Sequence, residues 1–277
     1  MSDERRPQMH FSSLDLLWRC GEAFRRRYIE RERLRPTAPL VVGKAVDLAT
    51  NQNLQNKIDR DEFLPVEQVQ ETARDSAQAT MDEEGLEVPA DERALGENRA
   101  RGAAIDKAVR LARKHSVSLA PRLKPKLVQQ RWAITIPGIP FDIVGTRDLD
   151  ETNGDIRDLK TSGKTPPADM VHRSDQLTLY ALAKFAVEKE PPPRVWLDTI
   201  VDLKKGPTVV SSSSRRGRED FAVMLNRIEN AAEVLEKGAF TPARQTDWFC
   251  SASWCGFFAS CKFARQSTQH SIGMPEE

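Results

Sequence analysis

Near Leu127 the hydrophobic period of the chain changes, and that change restricts its fold more than any other feature. Upstream, apolar residues return every three or four positions. Ser12-Ser13-Leu14-Asp15 reads as a helix start, with a serine cap and an acid close behind. Leu14, Leu17, Trp18, Phe24 and Tyr28 then extend one apolar side past Cys20. Pro36 and Pro39 are expected to break that helix, and a second should begin near Val42-Gly43 and run through Leu54. Residues 65–84 and 92–114 also read as helices, the latter with Ile105, Ala108, Val109 and Ala112 at helical spacing. Downstream the signals are those of strands: Gln130–Ile136, Phe141–Leu149 and Ile156–Lys160, with turns at Pro137-Gly138 and Asn153-Gly154. A helix is expected over 174–187, stopped by Pro191-Pro192-Pro193, then a strand over 195–203 and a short one from Val209. A last helix over 219–235 should bury Phe221, Met224, Leu225, Ile228 and Leu235. The implied class is α/β or α+β, a small mixed sheet flanked by helices with a helical insertion before it.

The 277 residues suit one large domain or two small ones. We expect a single domain over 1–277: a mostly helical part to residue 120, a sheet core over 121–240 and a Cys-rich tail over 241–277. Hydrophobic residues make up 39%, enough for a core. No run of about 18 apolar residues exists, so no membrane-spanning helix is expected. The start, MSDERRPQMHF, lacks the apolar core of a secretory signal, and a cytoplasmic location is the expectation. The formal charge of +1 hides an asymmetry. Arg25–Arg35 holds six arginines and two glutamates, and Asp61–Arg99 holds twelve acids and three bases. Arg101–Arg131 then holds nine bases and one acid, and Lys204–Arg218 five bases and no acid. Separate basic blocks on a neutral chain suit either a local phosphate-binding track or solvated faces.

Two groups of residues carry chemistry. Asp148 ends one expected strand, and Asp158 and Lys160 lie two apart on the next, so they share a face. A hairpin would bring Asp148 beside them. Two carboxylates and a lysine suit metal-assisted phosphodiester hydrolysis, with Mg²⁺ or Mn²⁺ on the carboxylates. The lysine would then orient the water or stabilise developing charge. The second group is Cys20, Cys250, Cys255 and Cys261. Three fall within twelve residues, and four thiols match the ligand count of a zinc or iron–sulfur site, with buried unligated thiols as the alternative.

Asp158-Leu159-Lys160-Thr161-Ser162 is followed by a helix with Gln176 and Tyr180 one turn apart. With Gly145-Thr146-Arg147-Asp148-Leu149-Asp150, this order resembles the PD-(D/E)XK nuclease superfamily. It is most similar to the RecB-type branch that includes AddAB, CRISPR-associated and phage exonucleases. The resemblance runs from residue 12 to 263 and implies a restriction-endonuclease-like fold. It implies Asp148 and Asp158 as metal ligands, Lys160 as the catalytic lysine, and Gln176 and Tyr180 at the scissile phosphate or DNA strand. It also implies that Cys20 and the late cysteine trio bind a [4Fe–4S] cluster, Zn²⁺ being the alternative. Such a site would clip the first helix to the tail.

Three departures from the family pattern stand out. Arg147 replaces the proline before Asp148. In Gly43-Lys44-Ala45-Val46-Asp47, Asp47 stands where the family carries a metal-facing histidine; His10 and His172 are the alternative imidazoles. Cys250 and Cys255 have four residues between them where many relatives have two. The expectation is a metal-dependent DNA exonuclease, or an exo/endonuclease, acting on single strands or duplex ends in end-processing or recombination. No Gly-x-x-x-x-Gly-Lys-Ser/Thr motif occurs, so a helicase or recombination protein would be a separate partner. The rival expectation is a weakened nuclease fold that serves as a DNA-binding or assembly subunit.

Overall fold

The computed structural model describes residues 6–88 and 96–264. The expected start of a helix at residue 92 lies outside them. The chain divides into two compact units, Met1–Phe11 with Arg35–Asn230, and Ser12–Leu34 with Ala231–Glu277. Among the described residues no helix is long and apolar enough to cross a membrane.

The first unit is built on a mixed six-stranded sheet. Its strands are β1 (Gln8–His10), β2 (Pro125–Thr135), β3 (Asp142–Glu151), β4 (Ile156–Ser162), β5 (Val195–Leu203) and β6 (Gly206–Ser214). β3 is the hub. β2 runs antiparallel along one edge of it, while β1 pairs in parallel at 142–144 and β4 pairs antiparallel only at Leu149↔Arg157 and Asp150↔Ile156. β4 then continues in parallel beside β5 over its whole length, and β6 closes the far edge. The expected strands are all present, mostly longer than their apolar runs. β1 has no counterpart in the sequence reading, because three residues leave no period to detect.

The helical insertion consists of α3 (Ala38–Arg60), α4 (Val66–Glu84) and α5 (Glu97–Lys114), preceded by α1 (Phe11–Arg19) and the single turn α2 (Gly21–Phe24). Pro39 does not end a helix; it occupies the first turn of α3, where a missing N–H costs nothing. Val69, Ala73, Ala77 and Met81 form a four-residue stripe on α4. They pack on Val42, Ala45 and Ala49 of α3, Ala104, Ala108 and Leu111 of α5, and Ile200 of β5. Alanines at the contacts let the helices approach closely. α6 (Asp175–Glu188) follows β4, and α7 (Arg218–Lys237) packs Phe221 on Phe185 of α6, ring centroids 5.6 Å apart.

The second unit holds α1, α2 and the Cys-rich tail. Here the expected continuous first helix is broken. Ser12 does not cap it, since α1 already starts at Phe11, directly after β1. Cys20 then adopts an extended backbone, φ −160° and ψ 103°, and caps α2 with its sulfur, and residues 25–29 wind as a wider π turn. Gly21 is required at this break. A Cβ there would stand 2.8 Å from the backbone of Phe240 and Thr241, and its N–H donates to the Thr241 carbonyl at 2.8 Å.

Gly145 is the second position where only glycine fits. It faces Trp132 across β2–β3, and a Cβ would meet the indole at 2.5 Å. Trp132 in turn contacts the Tyr180 ring edge-on at 6.1 Å. Gly145→Ala should therefore cost about 1–3 kcal/mol through overpacking and displace Trp132. Thermal unfolding together with Trp132 fluorescence checks this; an unchanged Tm and spectrum would refute it.

Candidate active site

The short β3–β4 pairing creates the site. Beyond Leu149↔Arg157 the two strands diverge, and the N–H of Leu159 loses its expected strand partner. The Asp148 carboxylate fills that role, with Oδ2 accepting from Leu159 N at 2.9 Å. On the other side of β3 the ladder is interrupted as well. Val128↔Leu149 and Gln130↔Arg147 flank Gln129, which sits opposite Asp148 at φ 51°. A non-glycine residue in the left-handed region costs about 1–3 kcal/mol and tends to mark functional sites. The Gln129 side-chain Nε2 is buried and has no hydrogen-bond partner among the described residues. No sequence signal pointed to Gln129.

Asp158 and Lys160 project from β4 on one face, as their spacing predicts. Lys160 Nζ lies 3.0 Å from Asp158 Oδ1 and 2.8 Å from Oδ2. Asp158 is 1% exposed, whereas the Lys160 side chain is 46% exposed and reachable from solvent. Asp148 is half-buried, and so is Asp47, which reaches the same site from α3. All three carboxyls are pushed above the usual range. For Asp148 the causes are loss of solvent, then the neighbouring charge of Asp158, with Lys160 offsetting part. For Asp158 burial dominates and Lys160 opposes it. For Asp47 burial again comes first, relieved by the Asn51 side chain and Lys160. Burial works against the Lys160 charge, but Asp158 and Asp148 outweigh it and raise the lysine.

Gln176 and Tyr180 come from the first turns of α6. Ser174 caps this helix by accepting from Leu177 N, which fixes where the helix begins. Gln176 Nε2 donates to Tyr180 Oη at 2.7 Å. Tyr180 is 5% exposed, and its phenol is shifted upward by burial and by the charges of Asp158, Asp148 and Asp47. The structure thus brings together Asp47, Asp148, Asp158, Lys160 and Tyr180, with Gln176 on Tyr180. The alternative imidazoles lie elsewhere: His172 Nδ1 is 2.9 Å from Ser214 Oγ, and His10 lies on β1 opposite Val144.

Three acids share one ammonium. Hard oxygen donors with excess negative charge fit a hard divalent cation such as Mg²⁺ or Mn²⁺. Among the described residues, no group of three or more His, Cys, Asp or Glu side chains stands in ligating geometry. Lys160 serves as counter-ion to Asp158.

The four cysteines also converge. All four thiols are free and line one cavity of about 20 Å³ together with Arg26 and Phe257. Cys20 Sγ accepts from Ala23 N at 3.5 Å and Ala243 N at 3.3 Å. Cys250 and Cys255 are pushed up, first by burial and then, among other causes, by the neighbouring Cys20 and Cys261. The four thiols are soft donors around one cavity, although no three of them stand in ligating geometry among the described residues.

A profile of the PD-(D/E)XK nuclease superfamily matches residues 8–262. The chain belongs to the PD-(D/E)XK nuclease superfamily. Its mixed central sheet with helices on both sides is the restriction-endonuclease-like architecture. No curated protein sequence matches the chain. Among solved structures, it is similar to a Eubacterium rectale protein described as "Putative exonuclease". The TM-score is 0.55 at 12% identity, covering 96% of this chain and 94% of that one. A second structure, described as SSO0001, reaches a TM-score of only 0.35 and carries no argument.

Asp148→Asn tests the electrostatics, because the amide oxygen still accepts from Leu159. The folded carboxyl titrates above its ordinary value, so the folded chain holds this proton more tightly than the unfolded chain. That stabilisation is complete below about pH 4 and is lost as pH rises through the raised value. In EDTA, Asp148→Asn should melt above wild type at about pH 8, with the gap closing toward pH 4. Matching Tm profiles would overturn the assignment.

Proposed function

We propose that this member of the superfamily is a Mg²⁺- or Mn²⁺-dependent DNA exonuclease, or an exo/endonuclease. The observation that carries the reading is the convergence of Asp148, Asp158 and Lys160 at the β3–β4 fork. In this reading Asp148, Asp158 and Asp47 hold the ion. When bound, the ion supplies a water of lowered pKa and neutralises charge on the phosphate. Lys160 keeps its proton, is oriented by Asp158, and faces the negative charge that builds on the phosphate oxygens as water adds and the ester oxygen leaves. Tyr180 and Gln176 position the strand. The substrate class is DNA, as single strands or duplex ends, in end-processing or recombination. A helicase or recombination protein is the natural partner, and the branch resemblance favours a setting such as a phage-infected cell.

Asp158→Ala and Lys160→Ala should each slow cleavage of linear DNA about a hundredfold or more while leaving DNA binding in EDTA intact. Wild-type rates in either variant, with Mg²⁺ present, would remove these residues from the site. Digestion of linear but not closed circular DNA distinguishes exonuclease from endonuclease action.

We further propose that Cys20, Cys250, Cys255 and Cys261 bind a [4Fe–4S] cluster in a structural role, with Zn²⁺ as the other occupant of the same thiolates. Arg26, beside the cavity, offsets part of the negative charge. Protein purified without oxygen should carry about four irons, and Cys20→Ala should lower stability as much as Cys261→Ala. Stoichiometric zinc without iron would select the other metal.

Asp47 supports a second reading. It stands where relatives place an imidazole, so loss of that ligand would leave a DNA-binding or assembly subunit with weak catalysis. Metal titrations of cleavage separate the two. If Asp47 is a ligand, Asp47→Ala needs more metal for the same rate; coincident curves would make it a bystander. A wild type that binds DNA yet cleaves nothing at any metal concentration would favour the subunit reading.

A further inference from the structure

The Cys-rich unit displays aromatic side chains that packing does not use. Trp248 is 57% exposed and Trp254 is 66% exposed, six residues apart and edge-to-face with centroids 5.2 Å apart. Trp is highly buried on average, so two open indoles side by side are costly to leave without a use. Cations accompany the aromatics. The Arg19 guanidinium lies 5.5 Å from the Trp248 ring, and Lys262 lies 4.9 Å from the ring of Phe263, itself 38% exposed. An open groove of about 420 Å³ is lined in part by Trp18, Arg19, Arg244 and Asp247, the residue before Trp248. The two acids at hand are engaged: Asp15 pairs with Arg19 at 2.9 Å, and Asp247 accepts from Phe249 N at 2.9 Å. Arg244 is exposed.

We propose that Trp248 and Trp254 form a stacking platform for unpaired bases of single-stranded DNA, with Arg244 contacting the adjoining phosphate. The exposed indoles of Trp248 and Trp254, with Arg19 over the Trp248 ring and Arg244 in the nearby groove, suit a strand whose bases have left the duplex, because every base has a π face and every link a phosphate. A duplex hides its base faces and gains nothing from an indole. An aliphatic protein partner would gain no advantage from the arginine over Trp248. The site lies wholly within the second unit and deepens the nuclease reading, resting on it only for the choice of DNA as ligand.

The test is binding of a fluorescein-labelled oligothymidylate of about 12 nucleotides to the full-length protein in EDTA, where no cleavage occurs. Trp248→Ala and Trp254→Ala should each weaken binding about tenfold, while Trp254→Tyr keeps most of the affinity. Affinity for a blunt duplex should change less than about twofold in each variant. Unchanged single-strand affinity in both alanine variants would overturn the proposal. So would equal loss on duplex, or a loss traced by sedimentation to altered self-association. The outcome is independent of catalysis. A wild type that cleaves DNA while its tryptophan variants bind normally refutes the platform and spares the nuclease reading. Tryptophan-dependent binding without cleavage at any metal concentration does the reverse.

Discussion

A single side-chain-to-backbone hydrogen bond, from Leu159 N–H to the Asp148 carboxylate, bridges β3 and β4 where the two strands part. β3 and β4 share only two residue pairs before they part. A buried strand edge cannot leave its N–H groups unpaired without a cost of about 1–3 kcal/mol each. Asp148 satisfies one of them with a carboxylate rather than a carbonyl, and so places a negative charge inside the fork. The same divergence leaves Asp158 and Lys160 uncovered by β3. The strained Gln129 on the opposite edge of β3 belongs to the same departure from regular pairing.

The charges of the first unit fall into two kinds. Glu151 and Asp198 are buried, and Arg157 answers both, at 2.6 and 2.9 Å, while lying 4.3 Å from the Trp196 ring. Asp150 is buried and held by Arg147 at 2.6 Å, with Lys184 at 3.9 Å. These pairs join neighbouring strands and α6 and are near balance, as buried ions must be to persist. Asp47, Asp148 and Asp158 break that pattern, with one lysine among three acids. The imbalance is local, since well-matched pairs lie a few residues away on the same strands. Asp150, Glu151 and Asp198 have arginine partners at 2.6–2.9 Å, whereas Asp47, Asp148 and Asp158 share Lys160 alone, which leaves an excess of negative charge at one place in the sheet.

The legibility of the sequence followed the length of the pattern. The helices and the five longer strands could be read because each repeats its period several times. The site was legible for the same reason: alternation along β4 alone puts Asp158 and Lys160 on one face. What escaped reading depends on partners distant in sequence. β1 exists because β3 offers it a free edge at 142–144. Gly145 reads as a weak point in a strand until Trp132 is seen to lie across it. Gln129 owes its conformation to Asp148 opposite, and no local feature of Gln129-Gln130 records that. Pro39 carried an ambiguous signal, since proline ends some helices and begins others.

The break at Cys20 ties the first helical segment to the tail. A continuous helix from residue 11 to 29 would satisfy its own backbone and would have no reason to expose the Cys20 sulfur. Instead Gly21 seats against Phe240 and Thr241, and the sulfur accepts from Ala243 N–H as well as from Ala23. These contacts hold the first helical segment to the tail, about 220 residues further along the chain.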